Sequence, residues 1–216
     1  MKSNSLLMTS MILLTSFASQ AQTSIGITAG ASFSNVKVKA SGINASPDTK
    51  TGITAGLLLD VPISKNFHFQ PALNFIQKGY IAKDDPMKET FNLNYLELPL
   101  NFVYNANGFF AGAGPSVAYG ISGMDKTKWT DHSMPDDNEK IHFGSGENEV
   151  KHLDLGANFT AGYKTNGGFL ITGNYTLGLS NIANTNSNSP DENAKIKNNC
   201  FGIKIGYMFN QKHKHQ

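Results

Sequence analysis

The residues able to do chemistry are few and scattered. His68 stands in "FHFQP" with no serine at a spacing that would make a nucleophile and base pair, so it is read as a filler beside a turn. His132, His142 and His152 share a polar stretch with Asp131, Asp136 and Asp137. Their spacing matches no known metal motif and no EF-hand loop, so a solvated loop is expected there. The terminal "HKHQ" reads as a loose tail. Cys200 is the single cysteine, so no intramolecular disulfide can form, and it is taken as a passive residue at the start of a strand. The glycines of "GAGPS" resemble no phosphate cradle, because a strand rather than a helix follows. Neither catalysis nor a cofactor is expected. A formal net charge of +2 gives no pull toward nucleic acid.

The second group of candidates makes sense only with the elements that carry it. Asp60, Glu97 and Asp154 are acids, and Lys78 and Lys204 are bases, set among otherwise small or apolar residues. All of them lie on strands. Apolar residues recur with period two, as in Ile25, Ile27, Ala29, Ala31 and Phe33, or Leu96, Leu98, Leu100 and Phe102. Similar runs centre on Leu57, Leu73, Val117, Leu155, Ile171 and Ile203, which makes eight strands of about ten residues or slightly more. The charged residues fall on the opposite faces, with Gly, Ser, Thr and Asn. Asp60, His68, Lys78, Glu97, Asn101, Asp154 and Lys204 are therefore expected to form a polar network. Glu97 is expected to pair with a basic residue there, Lys204 being the partner guessed.

Which face meets water follows from composition. At 16% charged with 21 glycines, the chain is poor in the Lys and Glu that cover soluble sheets. The small polar face suits a narrow interior, and the long aliphatic face with aromatics at its ends suits lipid. Phe67, Tyr104, Phe109, Tyr163, Phe169, Tyr207 and Phe209 mark one girdle, and Tyr119, Phe91 and Phe33 the other. The connections "PISKN", "NANG" and "KTNGG" are short. They alternate with long polar ones near residues 35–51, 80–91, 121–152 and 180–199. The fold expected is all-β: an eight-stranded antiparallel up-and-down transmembrane β-barrel with short periplasmic turns and four long extracellular loops. Eight strands leave an interior that side chains fill, which argues against a general diffusion pore.

The N-terminus reads as a signal peptide over residues 1–21: Lys2, an apolar core from Leu6 to Phe17, and small residues up to Ala21. Residues 22–209 are assigned to the barrel and 210–216 to a periplasmic tail. Trp129, the only tryptophan, stands in a charged stretch from Gly123 to Lys151, as a partner contact or folded back over the mouth.

"NYLELPLNF" and "GFFAGAGPSVAYG" resemble the paired strands of the PorT-like outer-membrane β-barrel family. Tyr95, Leu96, Glu97, Leu98 and Pro99 match its first strand and Gly114–Pro115 its second; "GITAGASFSN" and "GITAGLLLDVPI" are also similar to it. The resemblance implies an outer-membrane barrel of a Gram-negative bacterium, in a family whose namesake is associated with protein secretion and gliding. The chain departs from the pattern in ending seven residues beyond its last aromatic, Phe209. The partners expected are outer-membrane lipid and a protein reached through the extracellular loops, with a monomer as the default. A secretion component, a lipid-active enzyme and a soluble lipocalin-like carrier are the alternatives.

Overall fold

Alternation of apolar and small polar residues drives the chain into long strands, because each residue then places its side chain wholly on one face. The computed structural model describes residues 23–40, 43–45, 47–131, 134–146, 149–184 and 195–209. The segments assigned above to a signal peptide and a tail, and His132, lie outside them. The described strands are β1 (Ser24–Ala40), β2 (Ile43–Ala45), β3 (Asp48–Pro62), β4 (Phe67–Asp84) and β5 (Met87–Ala106). They continue with β6 (Phe109–Trp129), β7 (Asp137–Ile141), β8 (Leu153–Lys164), β9 (Phe169–Gly178) and β10 (Lys195–Phe209).

Eight of these form a closed antiparallel ring in the order β1-β3-β4-β5-β6-β8-β9-β10, completed by β10 pairing with β1 from Ile25↔Phe209 to Lys39↔Lys195. The short strands β2 and β7 add to β1 and β6. Closure leaves the ring no free edge, which a lipid setting demands. Turns at one end are tight. At Asn107–Gly108 both residues have positive φ, 51° and 86°, as a two-residue hairpin turn requires.

The outside of the ring is apolar. Phe67, Phe109, Phe169 and Ile205 are each more than half exposed, as are Ile53, Leu57 and Leu153. Cross-strand aromatic pairs make the girdle near the tight turns: Phe67–Tyr104 at 5.2 Å, Phe109–Tyr163 at 4.7 Å and Phe169–Tyr207 at 5.4 Å between ring centroids. Tyr119 and the Phe33–Phe201 pair stand toward the other end. From Phe109 to Tyr119 along β6 the strand runs roughly 34 Å at about 3.4 Å per residue, or about 25 Å across a membrane at a barrel's usual tilt.

The structure departs from the sequence reading beyond this band. The eight ring strands run for 10 to 21 residues, so two of the four stretches expected to be long loops are largely strand and a third begins as strand. Residues 80–91 are a hairpin with only Asp85 and Pro86 between β4 and β5. Residues 35–51 are mostly β1 and β3, and 121–152 begin with the rest of β6 and its partner β7. Apolar alternation stops where lipid stops, but the hydrogen-bonded ladder does not need it and continues through Lys, Thr, Glu and Asn. Trp129 accordingly ends β6 opposite Met87 rather than lying in a loop. Phe91 leaves the expected girdle and stacks on Tyr80, 4.5 Å away, on the same alternation as Tyr95 and Leu93. Cys200 lies within β10, not at its start, and is buried.

Candidate functional site

Even-numbered residues of β1, β3, β4, β8, β9 and β10, those of β6 as far as Gly120, and odd-numbered ones of β5 point into the ring, and many of them are polar. Thr28, Ser32, Asn74, Lys78, Glu97, Ser116, Asp154, Asn158, Thr176 and Asn198 are buried there. So narrow a bore forces charges from opposite walls into contact, which concentrates chemistry at two heights.

The upper group centres on Lys78. Its Nζ donates to Glu97 Oε1 at 3.3 Å and Asp154 Oδ2 at 3.2 Å, and lies 5.2 Å from the centre of the Tyr95 ring. Glu97 Oε1 also accepts from Ser116 Oγ at 3.0 Å and Thr176 Oγ1 at 3.2 Å. Asp154 accepts from Asn198 Nδ2 at 3.0 Å and Ser180 Oγ at 3.3 Å. A chain of amides runs down from this group: Asn101 Nδ2 donates to Asn158 Oδ1 at 2.9 Å, and Asn158 Nδ2 to Thr176 Oγ1 at 2.8 Å. The six strands β4, β5, β6, β8, β9 and β10 are thereby tied across the bore.

The partner guessed for Glu97 is wrong. Lys204 donates instead to Asn74 Oδ1 at 3.5 Å, and Lys78 takes Glu97. Both lysines point inward, so alternation could not separate them; the register, which only the fold fixes, sets their heights. The lower group gathers on Asp60. His68 Nδ1 lies 2.7 Å from its Oδ1, Gln70 Nε2 donates to the same oxygen at 3.1 Å, and Lys164 Nζ donates to Oδ2 at 3.0 Å. Sequence reasoning passed over Lys164 as part of a turn, although it continues the inward alternation of Asp154 and Asn158. Lys50, placed in a loop by the same reasoning, is buried in β3. Among the described residues no hydroxyl or thiol is hydrogen-bonded to His68, whose ring contact is with Asp60.

Apolar clusters close both ends of this polar column. Val103, Phe110, Leu170 and Met208, with Leu58, meet near the tight turns. At the far end Ile76, Leu93, Tyr95, Ala118, Ile182 and Cys200 form a second cluster, and Ile141, Phe143, Val150 and Ile196 pack on it. Phe143 stands edge-on to Tyr95 at 5.8 Å. His152, expected in a solvated loop, is half-buried and stacked on Tyr119 at 4.7 Å and Phe143 at 5.5 Å. The segment after β7 thus folds back into the mouth. The cavity left between the clusters, lined by Asn74, Asn101, Asn158, Asn174 and Lys204 among others, is about 30 Å³. That is room for about two waters at roughly 10–15 Å³ each.

Above the aromatic band, β4 to β7 continue as an arm. Pairing sets Asp125 opposite both Phe91 and Glu139, on the face that also carries Glu89. Partial burial first, then the charges of Glu89 and Glu139 and a hydrogen bond with Glu89, raise the Asp125 carboxyl to about 6. A carboxyl raised on folding favours the protonated arm, so its stability is full below the ordinary value of 3.8 and is lost as pH rises to about 6. Trypsin cleavage of the arm in the folded barrel should therefore be slower at pH 4 than at pH 7, relative to a peptide substrate. Asp125→Asn should remove that difference, and an unchanged pH profile in the variant would refute the assignment.

The sequence matches a family model described as outer membrane protein beta-barrel domain over residues 18–184. Among solved structures it is similar to Ail, the attachment invasion locus protein of Yersinia pestis, at 13% identity and a TM-score of 0.48, covering 87% of this chain and 99% of that one. It is similar to Neisserial surface protein A at 10% identity and a TM-score of 0.48, with 86% and 97% covered. The outer membrane protease OmpT of Escherichia coli gives 11% and 0.35, with 88% and 97% covered. No curated protein sequence matches the chain.

Proposed function

Because the chain belongs to the outer membrane protein beta-barrel domain family, we propose that it is a closed, non-catalytic barrel that anchors an extracellular binding arm. The observation that carries this reading is the filled bore. Two apolar clusters, a buried ion group and an amide chain leave space for about two waters. A conducting pore needs a continuous water path, and a carrier of apolar cargo needs an apolar lumen. Neither matches a polar interior wrapped in exposed Ile, Leu and Phe. The tight turns face the periplasm and the arm of β4 to β7 faces outward, after export by the N-terminal signal into a Gram-negative outer membrane. An adaptor role uses that arm, with Trp129 near its tip, as the contact surface.

Single-channel recording in a planar bilayer is the direct test. The full-length folded protein should give no stepwise conductance above the bare bilayer. Steps of the size made by a general diffusion porin would overturn the closed-barrel reading.

A second reading, an accessory role in a PorT-like secretion or gliding system, is favoured by the motif residues. Tyr95, Glu97 and Pro99 share the inner face of β5, and Pro99 pairs with Ser116 beside Gly114–Pro115. Deletion of the gene would then abolish export of a cargo protein, whereas the adaptor reading leaves bulk secretion intact.

A further inference from the structure

The arm is two-faced. In an antiparallel ladder, residues directly opposite share a face. Lys83 pairs with Lys88, Lys88 with Lys128, Thr90 with Lys126, and Met124 with Lys140. These five lysines therefore occupy one face of four adjacent strands. The acids Glu89, Asp125, Asp137 and Glu139 occupy the other. Like charges set directly opposite destabilise a sheet, so the row Lys83–Lys88–Lys128 calls for anions. The chain supplies two: Asp48 lies 2.8 Å from Lys83 and Asp136 lies 3.5 Å from Lys128. Among the described residues Lys88, Lys126 and Lys140 make no ion pair.

The lysine face is continuous with the lipid face. On β5, Lys88 falls on the same alternation as Leu96, Leu98 and Phe102, which are all exposed on the outside of the ring. Between them lie only the polar collar residues Thr90, Asn92 and Asn94. The bulge between Asn94 and Tyr95 adds its extra residue, Ile121, to β6 and so leaves the β5 alternation intact.

Height decides what the lysines meet. Leu96 pairs with Tyr119 at the edge of the apolar band. From there the levels of Lys140, Lys126 and Lys88 lie four, six and eight residues up β5. At about 3.4 Å per residue and the usual barrel tilt, that is roughly 10, 15 and 20 Å above the band. The headgroup layer of an ordinary phospholipid is only about 5–8 Å thick on each side. A simple anionic phospholipid is therefore too short. A glycolipid with an extended phosphorylated saccharide headgroup reaches the whole row.

We infer that the lysine face of the arm, through Lys88, Lys126 and Lys140, binds the phosphates of an outer-leaflet glycolipid standing against the barrel wall. The lipid's acyl chains lie on the apolar face below and its saccharide phosphates neutralise the lysines above. The inference rests on the outward orientation of the arm proposed above.

The test uses the full folded chain in detergent, titrated with phosphorylated rough-type lipopolysaccharide. Triple substitution Lys88→Gln, Lys126→Gln and Lys140→Gln should weaken binding about a hundredfold, at about fivefold per lysine. Lys65→Gln, in the turn at the opposite end, should leave it unchanged. Enzymatic removal of the saccharide phosphates should match the triple variant. Wild-type affinity in the triple variant would overturn the inference, as would equal capture of phosphatidylglycerol vesicles or displacement by millimolar inorganic phosphate. Orientation is read separately, with a membrane-impermeant maleimide on intact cells carrying Cys200→Ser. Labelling at Thr130→Cys and not at Asn66→Cys supports the arm being outside. The reverse removes the outer-leaflet partner whatever the titration gives, so the two failures are distinguishable.

Discussion

Lys78→Met is expected to destabilise the barrel by about 3–5 kcal/mol, the usual effect of removing one partner from a buried ion group. The side chain is 1% exposed, and so in effect are its partners Glu97 and Asp154, at 2% and 3%. Methionine nearly matches the volume of lysine, so packing changes little and the loss is electrostatic. What remains is two carboxylates facing each other across a bore that holds about two waters. Ser116, Thr176 and Asn198 still donate to them, but neutral donors do not cancel a second negative charge. Urea titration of the barrel in lipid vesicles, followed by the mobility difference between boiled and unboiled samples, measures the loss. Adding Glu97→Gln and Asp154→Asn should recover most of it, because the charges then vanish together. Lys83→Met breaks the exposed Lys83–Asp48 pair instead, and should shift the same midpoint by less than about 1 kcal/mol. If Lys78→Met behaved like Lys83→Met, the buried group would not be holding the strands together.

This contrast between two ion pairs marks what the sequence makes legible. The closed antiparallel ring follows from period-two patterning, because a pattern of apolar and small residues on opposite faces fits few structures other than a barrel with lipid outside. Glu97 is legible for the same reason: its alternation with Leu96 and Leu98 sets it inside. Its partner is not legible. Lys78 and Lys204 carry the same signal, inward and basic, and the choice depends on register between strands far apart in sequence. The arm is illegible for a different reason. Once lipid no longer selects one face, polar residues stand on both, and a ladder such as Ile81↔Thr90↔Lys126 looks like a loop in the sequence. Its charge segregation appears only when pairing sets Lys88 beside Lys128 and Asp125 beside Glu139.

Gly114→Ala is expected to cost about 3 kcal/mol, at the upper end for overpacking, and Gly114→Val to block folding into the heat-modifiable form. A Cβ at this position would strike the Leu100 carbonyl, standing 2.6 Å from its carbon and 2.9 Å from Asn101 Cα. These are backbone atoms of the neighbouring strand, so no rotamer change relieves the contact and β5 must move away from β6. The site has no slack. The ladder has no assigned pair between Pro99↔Ser116 and Phe102↔Ala113, and Pro115 has no N–H to donate there. Displacing β5 would also pull Asn101 from Asn158 and Glu97 from Ser116, which links the glycine to the ion group. Gly173→Ala is the matched control. Its Cβ would meet nothing nearer than 3.9 Å, and stability should stay within about 0.5 kcal/mol of the parent. The same urea titration reads both. A Gly114→Ala barrel as stable as Gly173→Ala would show that β5 and β6 can part without loss. The Gly-Pro step of the motif would then need a reason other than the close approach of two strands around a charged bore.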